Sequence, residues 1–298
     1  MNALRVRGIR PALLLAGCFL VAISLAGCAG KTRTSGFTFD WNLFIAELRP
    51  DSPGLSGVIY ITIVVSVVAQ ALGVLLGIFA ALGKMSRLLP VKAVANFYIW
   101  IFRGTPLVVQ LVLLYYGFGT AHIFDWSDQY ILGFTVKGNL WAAIVILGVN
   151  EGAYMAEIVR AGIMAVDPGQ TEAAKSLGMT YGQTMRRIVL PQAARVIIPP
   201  LGNEFNNMLK TTSLIFILGV IETYNHYAIL QVQNFRPFEA YLACALWFLL
   251  MTTIWGFIQG RIERRFARGT ATSSAPPSFG WRDRLLGRTP VGAGAGGH

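Results

Sequence analysis

Long apolar stretches recur along the chain, separated by shorter segments in which basic residues collect. Three stretches contain no charged residue: 58–83, 104–121 and 240–260. Two others, 138–150 and 196–218, are apolar but contain or adjoin ionisable side chains. A helix needs about 20 apolar residues to cross the hydrocarbon core of a bilayer, and helices satisfy their own backbone hydrogen bonds there. The pattern therefore predicts an all-α polytopic membrane protein with five core transmembrane helices.

Composition supports a membrane protein and excludes the soluble and disordered classes. Of the 298 residues, 54% are hydrophobic, 12% are aromatic and only 13% are charged. Soluble domains carry about 25% charged residues, and disordered chains lack apolar side chains in this number. The three cysteines (Cys18, Cys28 and Cys244) and the isolated histidines are too scattered for a disulfide framework or a metal site.

Most of the 25 basic residues lie in alternate segments of the chain. They collect before the first apolar run, after the first and third core helices, and in the C-terminal tail. By the positive-inside rule, these segments lie in the cytoplasm. The core then begins outside the membrane and ends in the cytoplasm, and the net charge of +11 reflects this topology, with no need for a nucleic-acid partner.

The two ends of the chain differ from the core. Residues 1–30 combine three arginines with an apolar run that ends in Leu-Ala-Gly-Cys at Cys28. Two readings fit: an uncleaved N-terminal transmembrane helix, or a lipoprotein-like signal with Cys28 lipidated after cleavage. Either one makes 31–54 an extracytoplasmic linker ahead of a transmembrane domain at 55–268. Residues 269–298 are rich in Gly, Pro, Ser and Ala, which predicts a disordered cytoplasmic tail.

The polar segment 167–191 lies on the basic, cytoplasmic side and reads as two short helices. Asp167 is a favoured N-cap residue, and Gly178 is suited to the position just after a helix C-terminus. A second helix begins at Thr180 and ends at Leu190, before a proline. In both helices a glutamine three residues after the N-cap completes a predicted capping box.

Several motifs resemble one family of transport proteins. The spacing Glu-Ala-Ala, three residues, then glycine, from Glu172 to Gly178, resembles the EAA motif of membrane subunits of ATP-binding-cassette (ABC) importers. The sequence RGTPLVVQL at 103–111, which we assign to the second core helix, and the flanks 153–163 and 191–214 are similar to permeases for polar amino acids. The resemblance covers the predicted transmembrane domain. The alternative is a helical hairpin that only joins two spans.

The resemblance implies a passive translocation path in the bacterial cytoplasmic membrane, driven from outside this chain. In that family two permease subunits pair, as a homo- or heterodimer, and a solute-binding protein delivers the amino acid outside the membrane. A cytoplasmic ABC ATPase subunit docks on the EAA segment, for which the resemblance implies four coupling residues: Glu172, Ala173, Ala174 and Gly178. No cofactor and no enzymatic activity are implied for this chain, because the partner binds ATP. Its only Gly-Lys-Thr, at 30–32, lacks the P-loop glycine.

Ionisable and polar side chains inside the predicted spans are candidates for the substrate path, because such residues are costly in a membrane. The Glu151 carboxylate, near the middle of the third span, could meet the α-ammonium or a cationic side chain of a substrate. It could equally form a helix-to-helix hydrogen bond or be protonated. Four polar residues of the fourth span join this hypothesis because they follow two prolines that free backbone carbonyls: Asn203, Asn206, Asn207 and Thr211.

Two further patterns predict packing. Glu157 and Arg160 are three residues apart and are expected to pair near the cytoplasmic surface. Small residues recur every four positions in the first core helix, which predicts close helix packing, within the subunit or at a dimer contact: Ala69, Gly73, Gly77 and Ala81.

Two other functions stay open, a permease of the same architecture for another small solute and an intramembrane enzyme, although no GxSxG, HExxH or CxxC motif is present.

Overall fold

The computed structural model describes residues 38–49, 55–131 and 133–267. The predictions for the N-terminal segment 1–30, including the lipidation of its cysteine, lie outside the described residues. So does the predicted tail at 269–298. The chain divides into two compact units, residues 1–44 and 45–298, and each is described by itself below.

Of the first unit, the structure describes residues 38–44. Here the chain enters helix α1 (Trp41–Leu48), whose last turn belongs to the second unit. Asp40 caps α1, because its Oδ1 accepts hydrogen bonds of 3.0 Å from the backbone N–H groups of Asn42 and Leu43. The segment predicted as an extracytoplasmic linker therefore contains a helix.

The described part of the second unit is built mainly of helices, with one short hairpin that the sequence pattern did not predict. In chain order the helices are α2 (Leu55–Lys84), α3 (Leu89–Gly104), α4 (Leu107–Thr120), α5 (Gly138–Met164), α6 (Pro168–Ser176), α7 (Tyr181–Leu218), α8 (Thr223–Asn234) and α9 (Pro237–Ala267). The hairpin lies between α4 and α5 and pairs β1 (Gln129–Ile131) antiparallel with β2 (Phe134–Val136).

Within the described residues, three straight helices are long and apolar enough to cross a membrane: α2, α5 and α9. Two further candidates are bent pairs, with an angle of 107° between α3 and α4 and of 53° between α7 and α8. The predicted total of five core spans is therefore reached when each bent pair counts as one span. All five predicted apolar stretches fall in these elements.

The first bent pair corrects the prediction for the second span. The motif at 103–111 is predicted to lie within one helix, and this assignment is wrong, because the chain breaks inside the motif. The segment before the motif is α3, and the chain turns sharply between Gly104 and Leu107. Thr105 is extended (φ −117°, ψ 144°) because Pro106 disfavours the helical conformation of the residue that precedes it.

The packing of α2 against α5 forms the centre of the unit. Gly77 lies so close to Met155 on α5 that an added Cβ would overlap that side chain, and a Cβ on Gly73 would lie 2.6 Å from Cγ of Glu151. Ala69 is completely buried in the same face. The predicted close packing of the small-residue stripe therefore brings two backbones together within one subunit.

The helix that follows the cytoplasmic segment is longer than predicted. It was expected to end at Leu190, but α7 continues through Pro191 and the internal prolines Pro199 and Pro200. A π-helical turn at Met185–Val189 widens the backbone just before Pro191. Such a bulge changes the hydrogen-bond register locally, so the missing proline N–H and its ring are accommodated without ending the helix.

Candidate functional site

A cavity of about 320 Å³ lies between α5 and α7, next to the start of α4. It combines carboxylate and carboxamide groups with an apolar wall. Its lining consists of Leu107, Leu147, Asn150, Glu151, Tyr154, Glu204, Asn207, Met208, Thr211 and Leu214. None of these lining side chains is basic. The lining therefore offers acceptor groups and two carboxyl groups but no basic side chain of its own.

Glu151 lies in the wall of this cavity and is only 6% exposed. Its Oε1 accepts a hydrogen bond of 3.0 Å from Nε2 of Gln70 on α2. The interhelical hydrogen bond considered from the sequence is therefore present, and the same side chain also borders the cavity. The two readings do not exclude each other, because a carboxylate has a second oxygen.

The four predicted polar residues of α7 divide between different environments. Asn207 and Thr211 line the cavity. Asn203 does not, since its Oδ1 accepts a 2.8 Å hydrogen bond from Nε2 of Gln259 on α9. Asn206 is also absent from the lining, and its Oδ1 is buried with no hydrogen-bond partner among the described residues. Asn203 and Asn206 are therefore not part of this cavity lining, and their place on a substrate path stays a prediction.

The carbonyls that the two internal prolines free were also expected near the path. Pro199 and Pro200 leave the carbonyls of Arg195 and Val196 without their usual helical N–H partners. Neither of these residues borders the cavity, whose first lining residue on α7 is Glu204, about two turns further along. The prolines therefore do not contribute carbonyls to this cavity.

Sequence reasoning did not assign Asn150, Tyr154 and Glu204 to the cavity. A signal for them was present in the helical spacing. Positions 147, 150, 151 and 154 of α5 share one face, because residues three and four apart lie on the same side of a helix. On α7 the spacing does not separate the candidates, because Asn207 lies three residues after Glu204 and four after Asn203, so the packing decides that Glu204 and not Asn203 lines the cavity.

A charged cluster lies one turn closer to the C-terminal end of α5. Glu157 accepts hydrogen bonds from Nζ of Lys84 at 2.5 Å and from Nε of Arg160 at 3.0 Å. Arg103, at the end of α3, is 4.0 Å from the same carboxylate and lies over the Tyr154 ring at 5.3 Å. The predicted Glu157–Arg160 pair is confirmed, and the cluster also ties α2 and α3 to α5.

The cytoplasmic segment has the predicted two-helix form, with one difference at its start. Asp167 accepts a hydrogen bond of 2.7 Å from the Gly169 N–H, and the capping box expected there is absent. The second capping box is present: the Thr180 N–H donates to Oε1 of Gln183 at 2.9 Å, and the Gln183 N–H donates to Oγ1 of Thr180 at 3.4 Å.

Gly178 forms the turn between the two helices in the left-handed conformation, with φ +74°. The Gly178 N–H donates to the Lys175 carbonyl at 2.9 Å, and the Met179 N–H donates to the Ala174 carbonyl at 3.1 Å. These two bonds are the Schellman pattern that closes a helix C-terminus. An added Cβ on Gly178 would meet nothing within 4 Å, so only its backbone conformation requires glycine.

The surface of this turn differs in part from the one predicted. Glu172 and Ala173 are exposed, but Ala174 is only 3% exposed and packs within the chain. Of the two alanines of the motif, only Ala173 therefore presents an outer surface. Leu177 and Tyr181, on either side of the glycine turn, are 82% and 74% exposed. The sequence pattern did not predict this apolar pair, because the two helices were assigned from their capping residues alone.

Comparison with known proteins identifies the family. Residues 73–268 match the family described as binding-protein-dependent transport system inner membrane component. The chain belongs to this family. It is an inner-membrane component of a transport system whose other parts include an ATPase and a solute-binding protein, and all elements from the middle of α2 to α9 fall within the match.

Several relatives of this inner-membrane component carry names that include an amino acid. The chain is 43% identical to the arginine transport system permease protein ArgU of Corynebacterium glutamicum over 218 residues, covering 70% of this chain and 67% of ArgU. It is 34% identical to the glutamine transport system permease protein GlnP of Escherichia coli over 227 residues, covering 76% of this chain and 97% of GlnP.

Solved structures share its fold. A crystal structure of an amino acid ABC transporter with histidines has a TM-score of 0.61 and 40% identity, covering 75% of this chain and 94% of that chain. A bacterial ABC transporter involved in the import of the acidic polysaccharide alginate has a TM-score of 0.57 at 15% identity, covering 86% of this chain and 97% of that chain. The second likeness concerns the fold alone, so the substrate has to be argued from the cavity.

Proposed function

We propose that this chain is the permease subunit of an importer for cationic amino acids, and that Glu151 and Glu204 receive the positive charge of the substrate. The observation that carries the proposal is the cavity with two carboxylates and no basic side chain in its lining. Ionisable side chains within a membrane span carry a high free-energy cost unless they pair with a group of opposite charge or a hydrogen-bond partner. A guanidinium or ammonium group would provide that partner while the substrate passes.

The neutral polar groups of the cavity fit the same substrate. Asn207 and Thr211 add acceptors on α7, and Tyr154 adds an aromatic face near the carboxylates. A guanidinium group carries five N–H donors in one plane, so it needs several acceptors around it. The 43% identity to a permease named for arginine transport supports this choice over a neutral polar amino acid.

A second substrate class is favoured by one specific observation. Every amino acid has an α-ammonium group, and a single carboxylate would suffice to receive it. Because Glu151 is already hydrogen-bonded to Gln70, Glu204 alone could hold the α-ammonium of a neutral amino acid such as glutamine. The two substrate classes therefore differ in whether one carboxylate or both are required.

The working complex is proposed to contain a second permease subunit, identical or homologous to this chain, together with an ATPase subunit and a solute-binding protein. The ATPase is proposed to dock in the cytoplasm on the turn between α6 and α7, where Glu172, Ala173, Leu177 and Tyr181 are exposed around Gly178. A charged residue beside two exposed apolar side chains is the composition of an interface centre with a polar rim. ATP is bound by that partner, and no cofactor is proposed for this chain.

Uptake of radiolabelled arginine, lysine and glutamine by cells that carry the whole transporter tests the substrate. Glu151→Gln and Glu204→Gln keep the side-chain shape and remove one charge each. A hydrogen bond to a charged group contributes about 1.5–3 kcal/mol, so each change should reduce arginine and lysine uptake by about 10–150-fold. The matched control is Asp125→Asn in the exposed loop before the hairpin, which should leave uptake unchanged.

Assembly has to be measured beside uptake, because a misfolded variant would also fail to transport. Co-purification of the ATPase subunit should stay at the level of the unchanged chain for all three variants. If glutamine uptake falls only in Glu204→Gln and cationic uptake is absent throughout, the substrate is a neutral amino acid held by its α-ammonium. If no uptake changes in either glutamate variant, the cavity is not the path and the proposal fails.

A further inference from the structure

A groove of about 510 Å³ lies between α2 and α3 and has no role in the proposed transport path. Its lining is apolar throughout: Leu76, Phe79, Ala80, Gly83, Pro90, Val91, Val94, Ala95 and Tyr98. The one polar atom among these side chains, the Tyr98 hydroxyl, is already used, since it donates a 2.6 Å hydrogen bond to the Val149 carbonyl. The groove therefore offers no hydrogen-bonding group to a polar ligand.

The dimensions and position of the groove suit an acyl chain in one leaflet. Along α2 it extends from Leu76 to Gly83, which is about 10 Å of helix at 1.5 Å per residue. One leaflet contributes about half of a hydrocarbon core of about 30 Å. The groove reaches the turn between α2 and α3, where the apolar stretch of α2 ends at Lys84.

Two cations without partners lie at this end of the groove. Arg87 is in the turn itself and Lys92 is in the first turn of α3, and both are exposed. Neither forms an ion pair with any residue in the described part of the chain. Lys84, by contrast, is engaged by Glu157 at 2.5 Å. The end of an apolar groove is therefore flanked by two positive charges that the protein does not neutralise.

We propose that this groove binds an anionic phospholipid, with one acyl chain between α2 and α3 and the phosphate headgroup at Arg87 and Lys92. The ligand must join a long apolar part to a negative charge, and a phospholipid has both at the required positions. Anionic lipids are attracted to basic residues at the cytoplasmic surface of a membrane. A zwitterionic lipid would fill the apolar part equally well, but its amine offsets the charge of its phosphate.

A helix from a second copy of this chain is the competing occupant. Apolar side chains at the groove rim are well exposed, with Val94 at 71% and Phe79 at 71%. A second copy would cover these side chains but would supply no anion to Arg87 and Lys92 unless an acidic residue reached them. The charges therefore favour the lipid, and the experiment separates the two occupants.

Native mass spectrometry of the full-length chain, purified with its co-expressed transporter subunits, measures the lipid directly. Phosphatidylglycerol and phosphatidylethanolamine are titrated as probes at low salt. We expect phosphatidylglycerol to bind more tightly, and Arg87→Gln combined with Lys92→Gln to weaken it by about 20–30-fold, from the usual contribution of a basic residue near an anionic membrane. The control pair, Arg264→Gln with Arg265→Gln at the end of α9, removes the same charge elsewhere and should weaken binding less than threefold.

A second variant tests the apolar part without touching the core. Val94→Trp fills the groove from its exposed rim, and Ile254→Trp, which is 51% exposed on α9, is the matched control. Only Val94→Trp should lower phosphatidylglycerol binding. Equal binding of the two lipids, or full binding by the Arg87/Lys92 variant, would overturn the proposal. So would efficient disulfide formation between two copies through Val94→Cys, which would identify the groove as a subunit contact.

Discussion

Asn150 and Gln110 are joined by a 2.9 Å hydrogen bond from Nδ2 of Asn150 to Oε1 of Gln110, which connects the cavity wall to the bend between α3 and α4. Nε2 of Gln110 in turn donates to the Phe102 carbonyl at 2.9 Å and to the Thr105 carbonyl at 3.1 Å. These carbonyls lose their helical partners where the chain turns. One side chain therefore caps the broken helix and contacts a residue of the cavity.

Replacing the capping glutamine tests the importance of the bend. Gln110→Leu keeps the size of the side chain but removes the Gln110 donor from the Thr105 and Phe102 carbonyls, and the Phe102 carbonyl then keeps only the 3.2 Å hydrogen bond from Nδ2 of Asn150. Each unsatisfied buried group costs about 1–3 kcal/mol, so thermal unfolding of the purified transporter should begin at a lower temperature. The KM for uptake should also rise, because Leu107 and Asn150 of the cavity lose their position.

The control for this change is Gln192→Leu. Gln192 is exposed, and its Nε2 makes only a local 3.1 Å hydrogen bond to the Ile188 carbonyl. Its replacement should change stability by less than about 0.5 kcal/mol, as surface substitutions usually do. Equal stability and equal KM for the two variants would show that the bend does not depend on Gln110.

The glycine turn of the cytoplasmic segment predicts a backbone-specific effect. Gly178→Val should destabilise the turn by about 1–2 kcal/mol, because a β-branched residue resists the left-handed conformation. Gly178→Asn should be milder, since asparagine adopts this conformation more readily. Pull-down of the ATPase subunit and coupled uptake are the measurements, and both should fall in the valine variant while membrane insertion persists.

A second glycine in the same segment supplies the comparison. An added Cβ on Gly182 would meet nothing within 4 Å, and its φ is not positive, so Gly182→Val should retain ATPase binding. If Gly178→Val binds the ATPase as well as Gly182→Val does, the left-handed turn is not required for docking.

The exposed carboxylate beside this turn predicts an electrostatic effect of a different kind. Glu172→Lys reverses a charge on the surface of α6 without changing any contact inside the chain, as Glu172 is exposed. We expect weaker co-purification of the ATPase subunit and a stronger dependence of that binding on salt. Full binding and full transport in this variant would leave the segment as a simple connector.

The close contact of α2 and α5 predicts that Gly77 cannot be enlarged. Gly77→Val would push its side chain into Met155 and the backbone beside it, and overpacking of this kind costs about 1–3 kcal/mol or more. The yield of folded transporter in membranes should fall strongly. Gly256→Val is the control, since an added Cβ there meets nothing within 4 Å. Equal yields of the two variants would contradict the packing.

Reporter fusions test the proposed orientation. Fusions after residues 90 and 180 should report a cytoplasmic location, and fusions after residues 127 and 232 should report the outside. The reason is the concentration of basic residues near the first pair of positions. A reversal at any of these positions would show that the charge distribution has been misread.

Part of this structure could be predicted from the sequence because it depends on interactions between residues that are close along the chain. The apolar stretches were recognised because the cost of exposing backbone and apolar surface depends only on length and composition. The predictions of the turn at Gly178 and of the capping box at Thr180 were correct, because both features depend on hydrogen bonds between residues a few positions apart. The family was also indicated by short motifs, from Arg103 to Leu111 and around Glu172, which the matched region 73–268 contains.

The tertiary structure decided the features that depend on how helices are rotated and broken. Proline was read as a helix end at Pro191 but occurs inside α7, where a π-helical turn accommodates it; at Pro106 the chain does break, and Gln110 caps the open end. Adjacent polar residues of α7 diverge for the same reason. Glu204 lines the cavity while Asn203 binds Gln259 on α9, because a rotation of about 100° separates neighbours on a helix and only the packing of α5 and α9 selects the inward face.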